Sequence, residues 1–236
     1  MQIRQGAEPL AHDGAATSVV LCHDLGGTPG GVAQIAQALI ADGLTVRVPR
    51  LSGHGTTARD LARTRWSDWY AELDAACAEV TTRGGRLVVA GAGAGAALAA
   101  LVACTRDDVL GLVAIDPLAA PVPLSRIHRA ARAMEGLTRA RRPFGASGSG
   151  GGLPVLTRAR QWELATRVTR DLSDVTAPVL LIRSVALGPA YAEAAEIFAS
   201  RVSSTDLTVR EISGGAQTRP DEVARHLLAF ARKVTS

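Results

Sequence analysis

The chain reads as an α/β domain with a doubly wound, mostly parallel sheet of about six or seven strands. Two observations predict this. Short apolar runs alternate regularly with longer helical patterns, and most of those runs lack polar alternation, as in strands buried on both faces. The length of 236 residues suits one large domain with a well-buried core.

The strand-like runs are Ser18–Cys22, Leu44–Val48, Leu87–Ala90, Val109–Ile115, Val179–Ile182 and Leu207–Ile212. Helical patterns lie between them at Gly31–Asp42, Arg65–Thr81, Ala94–Cys104, Ala190–Val202 and Pro220–Lys233. Pro220 followed by Asp221 and Glu222 is a helix-start signature, because proline fixes the first turn and the acids complement the helix dipole. One stretch breaks the rhythm. Residues 117–176 separate two strands and hold two amphipathic patterns, Leu124–Met134 and Val155–Asp171, with a Gly/Ser tract at 145–152 between them. The expectation is a helical lid inserted over the sheet's carboxyl edge, where open α/β sheets bind their ligands, with the Gly/Ser tract flexible.

Composition narrows the class further. Hydrophobic residues make up 47% and charged residues 20%, an ordinary globular balance. Aromatics reach only 3%, so Ala, Val, Leu and Ile must build the core. Cys22, Cys77 and Cys104 form neither a disulfide framework nor a CxxC pattern, which suits a reducing compartment. The first sixteen residues lack the basic start and apolar run of a signal peptide, and no apolar stretch approaches the ~18 residues of a membrane span. A cytoplasmic protein is expected. The net charge of +4 is uneven, because ten arginines between Pro121 and Asp171 meet only Glu135, Glu163 and Asp171. A solvated helical surface explains that better than a nucleic-acid site. The histidines His12, His23, His54, His128 and His226 show no ligand spacing, so no metal and no cofactor is expected.

Several segments, in order along nearly the whole chain, resemble the bacterial carboxylesterase and monoacylglycerol lipase group of α/β hydrolases. They are Val19-Val-Leu-Cys-His-Asp-Leu-Gly-Gly-Thr-Pro29, the stretch Leu44–Thr57 containing Gly53-His54-Gly55, Arg63-Thr-Arg-Trp-Ser-Asp-Trp-Tyr70, and Val175-Thr-Ala-Pro-Val-Leu-Leu-Ile-Arg-Ser184. The resemblance implies the α/β-hydrolase fold and a pocket, and a site must be argued separately. In the family, a serine on a sharp strand-to-helix turn is deprotonated by a histidine that a carboxylate orients. Here the turn is Gly91-Ala92-Gly93-Ala94-Gly95, with Gly93 at the serine position. Counting from Arg183-Ser184 puts Leu187 at the acid position, and Ser213-Gly214-Gly215 puts Gly215 at the histidine position. Glycine is neither nucleophile nor base, and leucine cannot orient an imidazole. The expectation is a degenerate triad and no ordinary ester hydrolysis.

The family's oxyanion hole uses two backbone amides, which by position are those of Leu25 and Ala94. Asp24 replaces the usual glycine before Leu25, so its carboxylate either repels an anion or rearranges the loop. With His23 and Asp116, these are the candidate ligand-binding residues. His23 and His54 also match family turns in which histidine locks a loop, and Trp66 and Trp69 read as packing residues. The leading expectation is a pseudo-hydrolase that retains a pocket for a small acyl-type or other apolar metabolite, or for a protein partner. Two alternatives stand beside it. One is non-hydrolytic chemistry of lyase, cyclase or isomerase type at Asp24, His23 and Asp116. The other is dinucleotide binding through Gly91-x-Gly93-x-x-Ala96, with Asp116 holding a ribose.

Overall fold

The computed structural model describes residues 3–118 and 155–236. Seven strands form one sheet: β1 (Leu10–His12), β2 (Ala15–Cys22), β3 (Leu44–Val48), β4 (Arg86–Ala92), β5 (Val109–Ile115), β6 (Val179–Ser184) and β7 (Leu207–Ile212). Their order is β1-β3-β2-β4-β5-β6-β7. Only β1 runs antiparallel, against β3, and every other pairing is parallel.

The helices are α1 (Ala33–Ala41), α2 (Ala58–Arg63), α3 (Trp66–Thr82), α4 (Ala94–Thr105), α5 (Val155–Asp171), α6 (Pro189–Arg201) and α7 (Pro220–Thr235). The strands split their side chains between two cores, because successive residues point to opposite faces. On one face Val19, Leu21, Val88, Ala90, Val113 and Ile115 pack with Ile35 and Leu39 of α1 and with Val223, Leu227 and Phe230 of α7. On the other, Val20, Val89, Leu112 and Leu181 pack with Trp69 and Leu73 of α3, Leu164 and Val168 of α5, and Phe198 of α6. The central helix of that layer, α4, is buried from Ala94 to Ala103. Its alanines let neighbouring backbones come close, so few aromatics are needed to fill the interior.

Two elements escape the sequence pattern. Strand β1 has three residues, too few to show alternation. It is tied to the sheet through Arg47, whose guanidinium donates to the His12 carbonyl and to Asp13 and Glu79. Helix α2 has six residues and starts at Thr57, whose hydroxyl accepts from the Asp60 amide. Of the expected insertion, α5 is present over the same residues as its amphipathic pattern. Leu164 and Val168 place it in the core beside α4. The pattern Leu124–Met134 and the Gly/Ser tract at 145–152 lie outside the described residues. No helix among the described residues is long and apolar enough to cross a membrane.

Candidate active site

The strand registers bring five loops to one edge. Cys22 pairs with Gly91, Ala92 with Ile115, Ile115 with Ile182, and Ser184 with Ile212. The loops opening at His23, Gly93, Asp116, Val185 and Ser213 therefore leave the carboxyl ends of adjacent parallel strands together. That edge is the ligand-binding edge of an open α/β sheet.

Gly93 is the whole connection between β4 and α4. Its backbone lies at φ +58° and ψ −120°, a left-handed conformation that glycine adopts freely. Its amide donates to the Ile115 carbonyl at 2.9 Å. The flanking glycines are set by close approach. A Cβ on Gly95 would meet the carbonyl oxygens of His23 and Cys22 at 2.5 and 2.6 Å, and one on Gly91 would run into the Gly95 carbonyl.

The Asp24 side chain turns back over this corner. Its Oδ1 accepts from the Leu25 amide at 2.7 Å and from the Ala94 amide at 2.8 Å. These are the two donors that the sequence singles out. A Cβ on Gly93 would overlap the carboxylate, with Oδ2 2.8 Å away and Oδ1 closer than any real Cβ contact. The carboxylate thus fills both the space between the two amides and the space a side chain at position 93 would enter. Oδ2 takes no hydrogen bond from a described residue, and Asp24 is exposed. Although part of the residue reaches solvent, the protein around the carboxyl desolvates it and raises its pKa; the two amide bonds pull the other way.

His23 points the opposite way. Its ring is buried, Nδ1 donates to the Asp24 carbonyl at 2.9 Å, and Nε2 accepts from the Leu51 amide at 3.4 Å. The His54 ring lies 5.1 Å from it, edge-on, and Trp69 stacks edge-on against His54 at 5.4 Å. His54 Nδ1 donates to the Ser52 carbonyl at 3.2 Å, while its buried Nε2 has no hydrogen-bond partner among the described residues. Burial holds both imidazoles neutral, with pKa values lowered to about 4 for His23 and about 3 for His54. Both rings therefore lock the loop between β3 and α2, and His23 is not brought to the cleft.

Asp116 follows β5 directly, at φ +46°. Its Oδ1 accepts from the Ser184 amide at 2.6 Å and its Oδ2 from the Ser184 hydroxyl at 2.5 Å. This clamp joins the ends of β5 and β6. Burial raises the Asp116 pKa against those two bonds. Tyr191, at the start of α6, feels both carboxylates, and its phenol is also pushed up, mainly by burial. Sequence reasoning missed Ser184 and Tyr191. Their signal is only positional: one ends a strand and the other opens the helix that follows.

Leu187 closes a short turn, Val185–Leu187, after β6 and is half-buried. Gly215 begins the turn before α7, where its carbonyl accepts from the amides of Thr218 and Arg219 at 2.9 and 3.0 Å. A Cβ on Gly215 would meet nothing within 4 Å. Position 215 has room for a side chain, and position 93 does not.

A mostly parallel sheet with a strand-to-helix elbow of positive φ and loops gathered at its carboxyl edge defines the α/β-hydrolase class. Within it the chain belongs to the serine aminopeptidase S33 family, whose model matches residues 14–147, and to its monoacylglycerol lipase-like group. It is 33% identical over 114 residues to a thermostable monoacylglycerol lipase from Bacillus sp. (strain H-257); that stretch is 48% of this chain and 46% of the relative. The matched stretch thus spans about half the length of that curated relative. Among solved structures, a metagenome-derived lipolytic enzyme aligns with a TM-score of 0.82 at 25% identity, over 98% of this chain and 100% of the other. The monoacylglycerol lipase of Paleococcus ferrophilus aligns at 0.70 and 18% identity, over 96% and 98%. A soluble variant of monoglyceride lipase from Saccharomyces cerevisiae aligns at 0.70 and 14%, over 98% and 89%.

Proposed function

We propose that the chain is a catalytically silent esterase/lipase-like α/β hydrolase that keeps a ligand site at the sheet edge. The observation that supports it best is the Asp24 carboxylate seated on the amides of Leu25 and Ala94. A hydrolase needs those donors free for the oxygen of its tetrahedral intermediate, since aimed N–H groups stabilise the charge that develops there. A carboxylate in that place removes the donors and adds a like charge. The residues at the triad positions agree, because Gly93, Leu187 and Gly215 offer no nucleophile, acid or base. The insertion at 117–176 is proposed to cover this site through the part that precedes α5, since α5 itself packs in the core beside α4. An apolar, acyl-sized ligand is the expected occupant, by likeness to the lipase relatives.

The contact also weighs against dinucleotide binding at Gly91-x-Gly93-x-x-Ala96. The first amide of α4, which would receive a pyrophosphate, already holds a carboxylate. A second reading keeps some support. The Asp116 charge acts on Asp24, and both carboxylates act on Tyr191, a proximity that suits proton transfer in non-hydrolytic chemistry. Mutating Asp24 to alanine would abolish such an activity while leaving the fold intact.

The test is hydrolysis of p-nitrophenyl butyrate and of a monoacylglycerol, together with labelling by a fluorophosphonate. Rates at the level of buffer and an unlabelled protein are expected. Turnover that disappears with a fluorophosphonate adduct on any residue would overturn the reading.

A further inference from the structure

We infer that Asp24 is a resident ligand of the two-amide site and inverts its polarity, so that the site selects ligands that donate hydrogen bonds, alcohols and amines, over carbonyl and anionic ones. The inference rests on the non-hydrolytic reading of this edge and names the ligand class it would take.

The argument is one of hydrogen-bond supply. Two backbone N–H groups converge on a point in front of α4, and left open they form a donor site that takes a carbonyl oxygen or an anion. Asp24 Oδ1 sits at that point, 2.7 Å from one nitrogen and 2.8 Å from the other. Both donors are consumed inside the chain. What the corner presents instead is Oδ2, an acceptor free of hydrogen bonds from described residues, on an exposed side chain. Oδ2 lies 2.8 Å from where a Cβ at residue 93 would be, in the volume an elbow side chain would project into. A ligand arriving there meets an acceptor where a working elbow offers donors.

Geometry holds the carboxylate in place. The amide of Gly27 donates to the Asp24 carbonyl at 3.0 Å and His23 Nδ1 donates to the same oxygen at 2.9 Å, so the main chain of residue 24 is pinned on its far side. The absent side chain at Gly93 gives the carboxylate its room. No Lys or Arg among the described residues forms an ion pair with Asp24. Among those residues its partners are the backbone amides on Oδ1, so Oδ2 is left to a ligand, and a cationic donor there would favour the ionised carboxylate. A charged donor is favoured over a neutral one, because hydrogen bonds between ionised groups are the stronger kind.

Three probes of one shape separate the chemistries: benzylamine, benzyl alcohol and benzoate. Each is titrated into the full-length, nitrogen-15-labelled protein at pH 7 while the amide resonances of Leu25 and Ala94 are followed. The readout needs no turnover, so it stands or falls separately from the esterase assay. Benzylamine, and more weakly benzyl alcohol, are expected to shift those two resonances in the wild type, with benzoate at least ten-fold weaker than benzylamine. In Asp24→Gly the preference reverses, and benzoate gains at least ten-fold because the amides are free. Asp24→Asn, which keeps the size and one acceptor oxygen, is expected to lose the preference for benzylamine over benzyl alcohol. Benzoate shifting Leu25 and Ala94 as strongly in the wild type as in Asp24→Gly would overturn the inference, as would benzylamine leaving them unmoved in the wild type.

Discussion

His23 and Asp24 are neighbours in the chain and face opposite ways. His23 looks into the interior, where it meets His54 and holds the Leu51 amide. Asp24 looks out to the sheet edge and holds the amides of Leu25 and Ala94. Both carry polar atoms near the middle of the molecule, and both satisfy backbone donors. They differ in what a charge costs them. Sealed away from water, the histidine pair stays neutral. At the sheet edge the aspartate also works against desolvation, which raises its pKa, while the two backbone amides it accepts from favour its charge. One residue fixes the shape of the loop, and the next fixes the polarity of the site.

The largest test of that contrast is acid. Both histidines have folded pKa values below the ordinary 6.5, at about 4 and about 3. The unfolded chain therefore takes up protons first. Their stabilisation is complete above pH 6.5 and is lost as pH falls toward 4 and then 3, on the order of 8 kcal/mol for the pair. Asp24 and Asp116, whose pKa values are raised, act in the opposite sense: their contribution is present below the ordinary 3.8 and lost as pH rises through the raised values. Urea denaturation at pH 7, 5.5 and 4.5 measures the balance, and His54→Phe should flatten it. A His54→Phe variant whose stability changes with pH as the wild type's does would break the contrast.

The next test crowds the open side. Gly93→Ser forces the Asp24 carboxylate off its amides and puts a side chain at positive φ, a loss of about 3 kcal/mol. Adding Asp24→Gly should recover most of it, with a coupling above about 1 kcal/mol in a double-mutant cycle. Additive losses would mean that the two positions act independently. A smaller effect is expected at the β5–β6 clamp. Asp116→Ala strands the buried Ser184 amide and keeps a positive φ, costing about 2 kcal/mol by the same denaturation measurement. Smallest is Asp24→Asn, which keeps an acceptor on both amides and should change stability by less than about 1 kcal/mol.

The sequence pattern located the two-sided strands well, because Val, Ile and Leu must fill both faces of a buried sheet. It also marked α5 and the glycine elbow. It missed β1 and α2, which are too short to express a period. At the site, the replacement of glycine by Asp24 was visible, and so was the pair of amides beside it. What could not be seen was the direction of one torsion. The sequence alone allowed the carboxylate to repel an anion or to rearrange the loop, while in the structure it occupies the anion's place. That outcome depends on Ala94, seventy positions further along, and on the absence of a side chain at Gly93. Ser184 was hidden for a similar reason, since its partner Asp116 follows another strand.

The elbow's outer glycines carry a lesson about reading patterns. Gly91 and Gly95 have no Cβ because backbone atoms occupy the space: the Gly95 carbonyl in one case, the carbonyls of His23 and Cys22 in the other. Neither touches the chemistry. The letters of a G-x-x-x-G signature at this turn therefore record how tightly a helix is laid onto a strand, and only the middle letter speaks of reaction. A search that weights all three alike will gather working and silent members into one bin.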